Sequence, residues 1–310
     1  MSSDPFLSND LFLLYSDVVL DKKYSWEDVH QKMGVLHHPV IFIKTELLEY
    51  YLPWLLTLSM RYVLLTTCND DYCMPYYSFP PSKAMKESHD RLLNHDKMMV
   101  WMTKNPSIVH PKVQGIPLGP KWQYQSYDFF GEDKTPILYV LHRYCLTPEI
   151  KFHSEKMKLV YVNFDVGTSM TPFYQPHRNI RGLLLNACIQ QGFQVSSPKK
   201  YEAYLQELQT YKFCMCPPGR GIDTHRVLEC LMVGTIPIMV TGPMDAMYEG
   251  LPVLWITNVA QISKTYLEKE YLVMKTKKYE FEKLYAPYWK KRLRAYPDLN
   301  RDYESQSLVC

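Results

Sequence analysis

The sequence predicts an α/β protein of two domains, each built on a parallel sheet. Short apolar runs alternate with amphipathic stretches along most of the chain. The 310 residues also exceed the roughly 100–200 residues of an ordinary single domain. Hydrophobic residues make up 46% of the chain and charged residues 22%, which suffices for two cores and argues against disorder. We therefore expect two α/β units with a cleft between them.

In the first half, uninterrupted apolar runs predict strands covered on both faces, and apolar residues at helical spacing predict helices. The strands are expected at residues 40–44, 62–67, 98–102 and 113–118, and the helices at 46–59 and 83–94. The aromatic and polar region 121–156 has no clear period. We interpret it as an irregular passage between the domains.

The second half alternates more regularly. Strands are expected at residues 158–163, 193–195, 212–216, 236–240 and 251–256, and helices at 178–191, 199–210, 224–233, 259–271 and 277–294. Gly234 directly follows the helix expected at 224–233 and is placed to end it as the C′ residue. The predicted divisions are residues 1–150, which include the irregular linker, residues 151–276, and residues 277–310, a helix and tail that pack back toward the first domain.

Composition excludes several classes of protein. A formal net charge of +3 without a Lys/Arg block predicts no nucleic-acid partner. The N-terminus lacks a basic segment before its apolar run, and the apolar stretch 50–68 contains Pro53 and Arg61. We therefore expect no signal peptide, no membrane span and a cytoplasmic protein. Eight cysteines without a CxxC pair predict reduced thiols and argue against a zinc site.

The corner at residues 217–222 carries the most chemical information, since it joins a predicted strand to a predicted helix. Ligands bind beyond the carboxyl ends of strands in an open α/β sheet. Gly219 and Gly221 would permit positive φ and a close approach of the backbone to a ligand. The following helix N-terminus offers free N–H groups and a partial positive charge, which suit a phosphate.

Two charged residues follow the corner on one face of the helix. Arg226 in the first turn would pair with a phosphate, and Glu229 would accept hydrogen bonds from ribose hydroxyls. A plain turn is an equally good interpretation from the residues alone, with Asp223 or Thr224 as an ordinary N-cap and Arg226 and Glu229 as a solvated pair. No GK[ST] follows, so the corner is not a P-loop.

The sequence around this corner resembles the exostosin-like glycosyltransferases. The stretch CPPGRGIDTHRVLECLMVGTIPIMV, followed by PMDAMYEGLPVLWI, is similar to the family pattern CPxGxGxDTHRxxEALxxGxIPIV and its following strand. Weaker similarities, such as LVYVNFDV, IFIKTELLEYYL and HPKVQGIPLG, extend the resemblance over roughly residues 39–290. Cys230 stands where the family usually has Ala.

The resemblance implies a GT-B fold: two Rossmann-like domains with an interdomain cleft, the nucleotide-sugar donor on the C-terminal domain and the glycan acceptor facing the N-terminal one. It also implies an inverting transfer without a metal cofactor. The chain agrees in lacking an Asp-x-Asp motif, the metal–diphosphate clamp of the other major glycosyltransferase fold. Without a metal, helix dipole, backbone N–H groups and arginine would stabilise the leaving diphosphate.

Carried over position by position, the resemblance implies a set of donor-binding residues. They are Gly219, Arg220, Gly221, Thr224, His225, Arg226, Glu229, Asn163 and Arg178. Arg226 would pair with the diphosphate and Glu229 would hold the ribose. For His225, orienting the phosphates and simple packing are equal alternatives, and Arg178 is either a second phosphate partner or a helix-surface arginine.

An inverting transfer also needs a general base to accept the proton of the acceptor hydroxyl. We expect it in the loop after the strand at 62–67, with Asp71 as the first choice and Asp70 as the second. Their adjacency would raise the pKa of one carboxyl by like-charge repulsion. An Asn-Asp-Asp turn with side-chain caps explains both residues equally well. Tyr72 and Trp122 are the expected sugar-stacking rings on the acceptor side.

Three functions fit this pattern. The first is a metal-independent inverting transferase that moves a sugar from a UDP-sugar to a hydroxyl of a glycan. The second is a nucleotide-sugar-binding partner without turnover, and the third is a GT-B epimerase acting on free UDP-sugar. Likeness to the short, soluble, virus-encoded members of the family, some of them xylosyltransferases, points to UDP-xylose as donor, with UDP-glucuronate, UDP-galactose and UDP-N-acetylglucosamine as open alternatives.

Overall fold

Two all-parallel β-sheets organise the chain, one in each half. The computed structural model describes residues 9–67, 74–76, 81–120, 137–168 and 179–306. The strands are β1 (Val18–Leu20), β2 (Val40–Lys44), β3 (Tyr62–Thr67), β4 (Met98–Thr103), β5 (Val113–Gly115), β6 (Lys158–Tyr161), β7 (Tyr211–Met215), β8 (Ile236–Val240) and β9 (Leu254–Ile256). This is the predicted α/β class, with the two Rossmann-like units expected of a GT-B glycosyltransferase.

Helices flank both sheets. They are α1 (Asn9–Leu14), α2 (Trp26–Met33), α3 (Leu48–Leu55), α4 (Lys83–Leu93), α5 (Ile137–Cys145), α6 (Pro148–His153), α7 (Ile180–Gln190), α8 (Tyr201–Leu208), α9 (His225–Met232), α10 (Lys264–Lys275) and α11 (Ala286–Gln306). Within the part of the chain that the structure describes, no helix is both long enough and apolar enough to span a membrane.

The first sheet has the order β1-β2-β3-β4-β5 and is covered on both faces. Alternate residues of β2 show this, because Ile41 and Ile43 pack with α2, α3 and α4 while Val40 and Phe42 enter the core shared with the second half. Parallel strands buried on both faces need continuous apolar runs, which is why these strands were predictable.

The C-terminal helix α11 covers part of the second face of the first sheet. Trp289 and Leu293 are buried in the same core as Phe12 of α1, and the rings of Phe12 and Trp289 meet edge to face at 6.1 Å. Arg294 donates two hydrogen bonds to the carboxylate of Asp17, at 2.7 and 2.9 Å. The end of the described chain thus returns to the strand with which the first sheet begins.

The second sheet has the order β6-β7-β8-β9. The predicted strand at 193–195 is reduced to a single parallel bridge between Val162 and Val195. After α9 the chain turns at Gly234, which has φ +74° and follows the cap residue Val233, so the predicted C′ role is confirmed. A Cβ here would also lie 2.3 Å from the carbonyl carbon of Lys151, so both conformation and space require glycine.

Other parts of the sequence also differ from the prediction, among them the helix expected at 259–271, which is a 3₁₀ turn, Val259–Gln261, followed by α10. The helix expected at 46–59 is a 3₁₀ turn, Thr45–Leu47, followed by the shorter α3. The sequence analysis predicted none of α1, β1 and α2. The strand β1 has only three residues and is stabilised by its pairing with β2. The passage interpreted as irregular contains α5 and α6, which pack against α8 and α9. These two helices are stabilised by tertiary packing, which the local sequence period did not reveal.

Candidate active site

The corner at residues 217–222 lies at the C-terminal edge of the second sheet, between β7 and α9, as the sequence predicted. Thr224 is the N-cap of α9, with extended backbone angles (φ −137°, ψ 146°) and no hydrogen bond from its side chain to the helix. Instead Asp223 Oδ1 accepts the Thr224 N–H at 2.8 Å. The N-terminus of α9, with its partial positive charge, therefore opens toward the space in front of this edge.

A cavity of about 420 Å³ occupies that space. Its walls come from the ends of β6 and β7 and from the first turns of α7, α8 and α9. The lining residues are Asn163, Arg181, Pro198, Lys199, Tyr201, Tyr204, Pro217, Thr224, His225, Arg226 and Glu229. Ligand pockets in proteins usually enclose roughly 300–1,000 Å³, so this volume suits a nucleotide-sized molecule.

Two arginines reach the cavity from neighbouring helices. Arg226 belongs to the first turn of α9 and lies 6.0 Å from the ring centre of Tyr204. Arg181, in the first turn of α7, is buried and donates hydrogen bonds to the carbonyl oxygens of Asp165 (2.7 Å) and Pro218 (2.8 Å). Burial, followed by the charge of Arg226, lowers the pKa of Arg181, and both side chains line the same cavity.

Neither guanidinium is neutralised by a carboxylate at ion-pair distance, among the residues that the structure describes. Their remaining donors and the N-terminus of α9 concentrate positive charge at one end of the cavity. Two cations held together without a carboxylate between them favour an anionic ligand.

Glu229, three residues after Arg226 on α9, also lines the cavity. Its carboxylate is buried and accepts hydrogen bonds from the hydroxyls of Tyr201 (3.1 Å) and Tyr204 (3.0 Å), two residues on one face of α8. Burial, followed by the charge of Glu229, raises the pKa of both tyrosines, so both hydroxyls stay protonated and donate. A carboxylate offers about four acceptor positions in all, which makes Glu229 chemically suited to hold ligand hydroxyls.

Three more predicted residues line the cavity. The hydroxyl of Thr224 is shielded from solvent and has no hydrogen-bond partner among the described residues. His225 Nδ1 donates to the carbonyl oxygen of Gly119 at 2.7 Å. A carbonyl oxygen can only accept, so the tautomer with a proton on Nδ1 is assigned. This bond fixes the His225 ring to the first half of the chain. The amide of Asn163 donates to the Ser197 carbonyl at 2.9 Å and to the Tyr161 hydroxyl at 3.0 Å.

The two glycines of the corner differ from the sequence-based expectation. Neither Gly219 nor Gly221 has positive φ, and neither lines the cavity. A Cβ on Gly219 would make only ordinary contacts, the nearest at 3.9 Å, whereas a Cβ on Gly221 would lie 2.4 Å from the side chain of Asn105. Gly221 therefore makes room for a protein side chain. Arg220 between them is exposed and is not part of the cavity wall.

Asp223 joins the corner to the first half of the chain. Its buried carboxylate accepts the backbone N–H of Leu118 at 2.9 Å and the hydroxyl of Tyr248 at 2.6 Å. Its own N–H donates to Asn105 Oδ1 at 2.9 Å. Burial raises the pKa of Asp223, although these hydrogen bonds act against the rise. The sequence suggested only an N-cap here, and Asp223 in fact holds the two halves together beside the cavity.

Five predicted site residues lie outside the described residues: Asp70, Asp71, Tyr72, Trp122 and Arg178. The structure adds Arg181, Tyr201 and Tyr204, which sequence reasoning missed. Two signals were available. Arg181 lies in the first turn of a helix, as Arg226 does, and Tyr201 and Tyr204 form a Tyr-x-x-Tyr pair on one helix face. Both were absorbed into the predicted helices at 178–191 and 199–210 as ordinary helix positions.

Residues 155–251 match the family model described as the Exostosin GT47 domain. The matched region begins before β6 and includes the whole cavity wall, the corner and α9. The match supports an exostosin-like glycosyltransferase. It covers less than half of the chain and leaves the first sheet outside. Among curated proteins, none matches this sequence.

Proposed function

We propose that the protein is a metal-independent, inverting glycosyltransferase that transfers a sugar from a UDP-sugar to a hydroxyl of a glycan acceptor. The observation that carries this proposal is the pair Arg181 and Arg226, two guanidinium groups without a described carboxylate partner at a cavity of nucleotide size. The diphosphate binds at these cations and at the N-terminus of α9, and the unpaired Thr224 hydroxyl hydrogen-bonds to it.

A neighbouring part of the cavity wall accounts for the nucleoside. Glu229, fixed by Tyr201 and Tyr204, accepts hydrogen bonds from the ribose hydroxyls. The glycosidic oxygen of the donor develops negative charge as its bond to the sugar breaks, and the two arginines stabilise that charge. Because the cations are held in place before the reaction, little reorganisation is needed when the charge appears. UDP-xylose is the donor we propose, on the sequence resemblance alone.

Asp71 is the proposed general base, with Asp70 as the alternative. The segment 68–73 that contains them connects β3 to Met74, whose backbone N–H donates to the carbonyl oxygen of Asn105 at 3.2 Å. The Asn105 side chain in turn accepts from the N–H of Asp223 in the corner. The described residues on both sides of this segment therefore lie at the edge of the first sheet that meets the corner, which supports a base supplied from this side.

A panel of UDP-sugars, each offered with and without EDTA, tests the proposal on the wild-type chain and on Glu229→Gln. We expect one donor to be hydrolysed slowly in EDTA and Glu229→Gln to bind UDP about tenfold or more weakly. The matched control is Glu202→Gln, since Glu202 also accepts from a tyrosine, Tyr144 at 3.0 Å, but lies outside the cavity.

Other outcomes point to other functions. Turnover that is abolished by EDTA contradicts the metal-independent mechanism. UDP binding without hydrolysis or transfer indicates a nucleotide-sugar-binding partner, and conversion of free UDP-sugar into its epimer indicates an epimerase.

The base has a separate test. Asp71→Asn is expected to keep its affinity for UDP while transfer to the acceptor is abolished, because the substitution removes only the proton acceptor. Asp96→Asn, on the exposed surface of the first half, is the control. Transfer that survives in Asp71→Asn and is lost in Asp70→Asn would move the role to Asp70.

A further inference from the structure

Three buried cysteines converge between β7 and α9, next to Arg226. Cys214 and Cys216 alternate along the chain at the end of β7 and so point to the same face of the sheet, and Cys230 faces them from α9. The Sγ atoms of Cys216 and Cys230 are 3.7 Å apart, and all three sulfurs lie within 4.8 Å of one another. We call Cys214, Cys216 and Cys230 the thiol cluster.

This spacing matches a metal site. Metal–sulfur bonds of about 2.3 Å hold three sulfurs about 4 Å apart when the ion lies in their plane. The sulfur–sulfur distances, 3.7 Å between Cys216 and Cys230 and at most 4.8 Å within the cluster, are close to that value. Binding an ion would therefore need no large movement of the backbone. The sequence argument against a metal site rested on the missing CxxC spacing, which describes ligands on turns. A Cys-x-Cys pair on a strand with a third cysteine on the facing helix is a different arrangement.

We propose that the thiol cluster binds one Cu⁺ ion. Soft thiolates select Cu⁺, Zn²⁺ or iron–sulfur clusters, and structural Zn²⁺ takes four ligands almost without exception. Within the described residues no fourth His, Cys, Asp or Glu joins the three sulfurs, so the cluster suits a soft ion that accepts three ligands.

The surrounding charge agrees with a monovalent ion. Arg226 precedes Cys230 by four residues on α9, so the two side chains lie on the same face of that helix. A Cu⁺ ion with two thiolates and one neutral thiol carries one net negative charge, which the guanidinium balances in a core that is closed to solvent. On binding, each thiolate gives an electron pair to the metal and its proton passes to the buffer. Copper enters as Cu⁺, so no electron is transferred.

The test uses the full chain with Cys68→Ser, Cys73→Ser and Cys310→Ser, because those three thiols lie outside the described residues and would bind Cu⁺ on their own. This parent is compared with the same chain carrying Cys230→Ala or Cys188→Ala. Cys188→Ala is the matched control, since Cys188 is equally buried and outside the cluster. The reduced proteins are titrated anaerobically against Cu⁺ held by a chromophoric Cu⁺ chelator, with the thiolate-to-copper charge-transfer band as a second signal.

We expect the parent and Cys188→Ala to take up one Cu⁺ per chain, and Cys230→Ala to bind more than about tenfold more weakly. If Cys230→Ala does not fold by circular dichroism, Cys216→Ala takes its place in the same titration. The proposal is overturned if the parent takes up no Cu⁺, if Cys230→Ala and Cys216→Ala bind as the parent does, or if Zn²⁺ displaces Cu⁺ at equal concentration. UDP binding is not part of the readout, so the outcome is independent of the proposed transferase.

Discussion

The C-terminal edges of the two sheets are equivalent in topology and differ in how they use their polar side chains. At the second sheet, Arg181 and Arg226 reach a cavity without a described carboxylate partner. At the first sheet, two of the polar side chains bond to protein groups: Thr66 accepts from Trp101 at 2.8 Å, and Asn105 accepts from Asp223 at 2.9 Å. The difference between the two edges is therefore the pair of arginines that line a cavity at the second one.

Removing a cation from the second edge is expected to have the largest effect. Arg226→Gln should weaken UDP binding by about 10- to 100-fold, because charge-assisted hydrogen bonds contribute about 1.5–3 kcal/mol. Isothermal titration calorimetry measures the change, with a thermal melt as the check on folding. Arg91→Gln, an exposed arginine of the first half, is the control and should bind UDP as the wild type does. Equal UDP affinities of Arg226→Gln and Arg91→Gln would show that Arg226 does not bind the nucleotide at the second edge.

Filling the space where the two edges meet should cost stability. Gly221→Ala would force the Asn105 side chain away and leave the buried Asp223 N–H unpaired, a cost of about 1–3 kcal/mol. Gly219→Ala is the matched control, since its Cβ would make only ordinary contacts. Urea unfolding at neutral pH measures both free energies of unfolding. A Gly219→Ala variant as unstable as Gly221→Ala would show that the corner itself, not Asn105, excludes a side chain.

The first edge should respond to acid through His89. This fully buried residue contacts the carbonyl oxygen of Pro75 through Nδ1, and its Nε2 lies 2.9 Å from Glu49 Oε1. Burial lowers the pKa of His89, although Glu49 and Asp90 act in the opposite direction. The unfolded chain binds this proton near pH 6.5, so the contribution of His89 to stability is complete above that pH and is lost as the pH falls toward the lower, folded pKa.

We therefore expect the free energy of unfolding to decrease between pH 7.5 and pH 5, by about 1.4 kcal/mol for each unit that separates the two pKa values. His89→Asn, which keeps a donor for the Pro75 carbonyl, should reduce this slope. His153→Asn replaces an exposed histidine and should leave it unchanged. A slope that is the same in all three proteins would assign the acid response to other groups.

The smallest effect is expected at Arg220. Its side chain is exposed and outside the cavity wall, so Arg220→Gln should change UDP affinity by no more than about 0.5 kcal/mol. The same calorimetric titration that is used for Arg226→Gln provides the measurement. A tenfold loss of affinity would return Arg220 to the diphosphate, where the sequence resemblance placed it.

Much of the fold could be predicted from the sequence because it rests on local patterns. The continuous apolar run of β2 and the glycine after α9 are examples, and both occur where they were predicted. The sequence analysis missed β1, which is ordered by pairing with β2, and α5, which is ordered by packing on α8 and α9. Short or apolar segments take their structure from neighbours that are distant in the chain, and no local period records that.

For the site, the sequence by itself determined the corner: a strand, glycines, then a helix whose first turn carries Arg226 and, one turn on, Glu229. Only the tertiary structure decided what surrounds them. It brought Arg181 from another helix beside Arg226, placed Tyr201 and Tyr204 on Glu229, and showed that Gly221 accommodates Asn105. Charge and backbone flexibility belong to single residues and can be read from the chain, whereas burial, pairing and free space depend on segments that meet only in the folded protein.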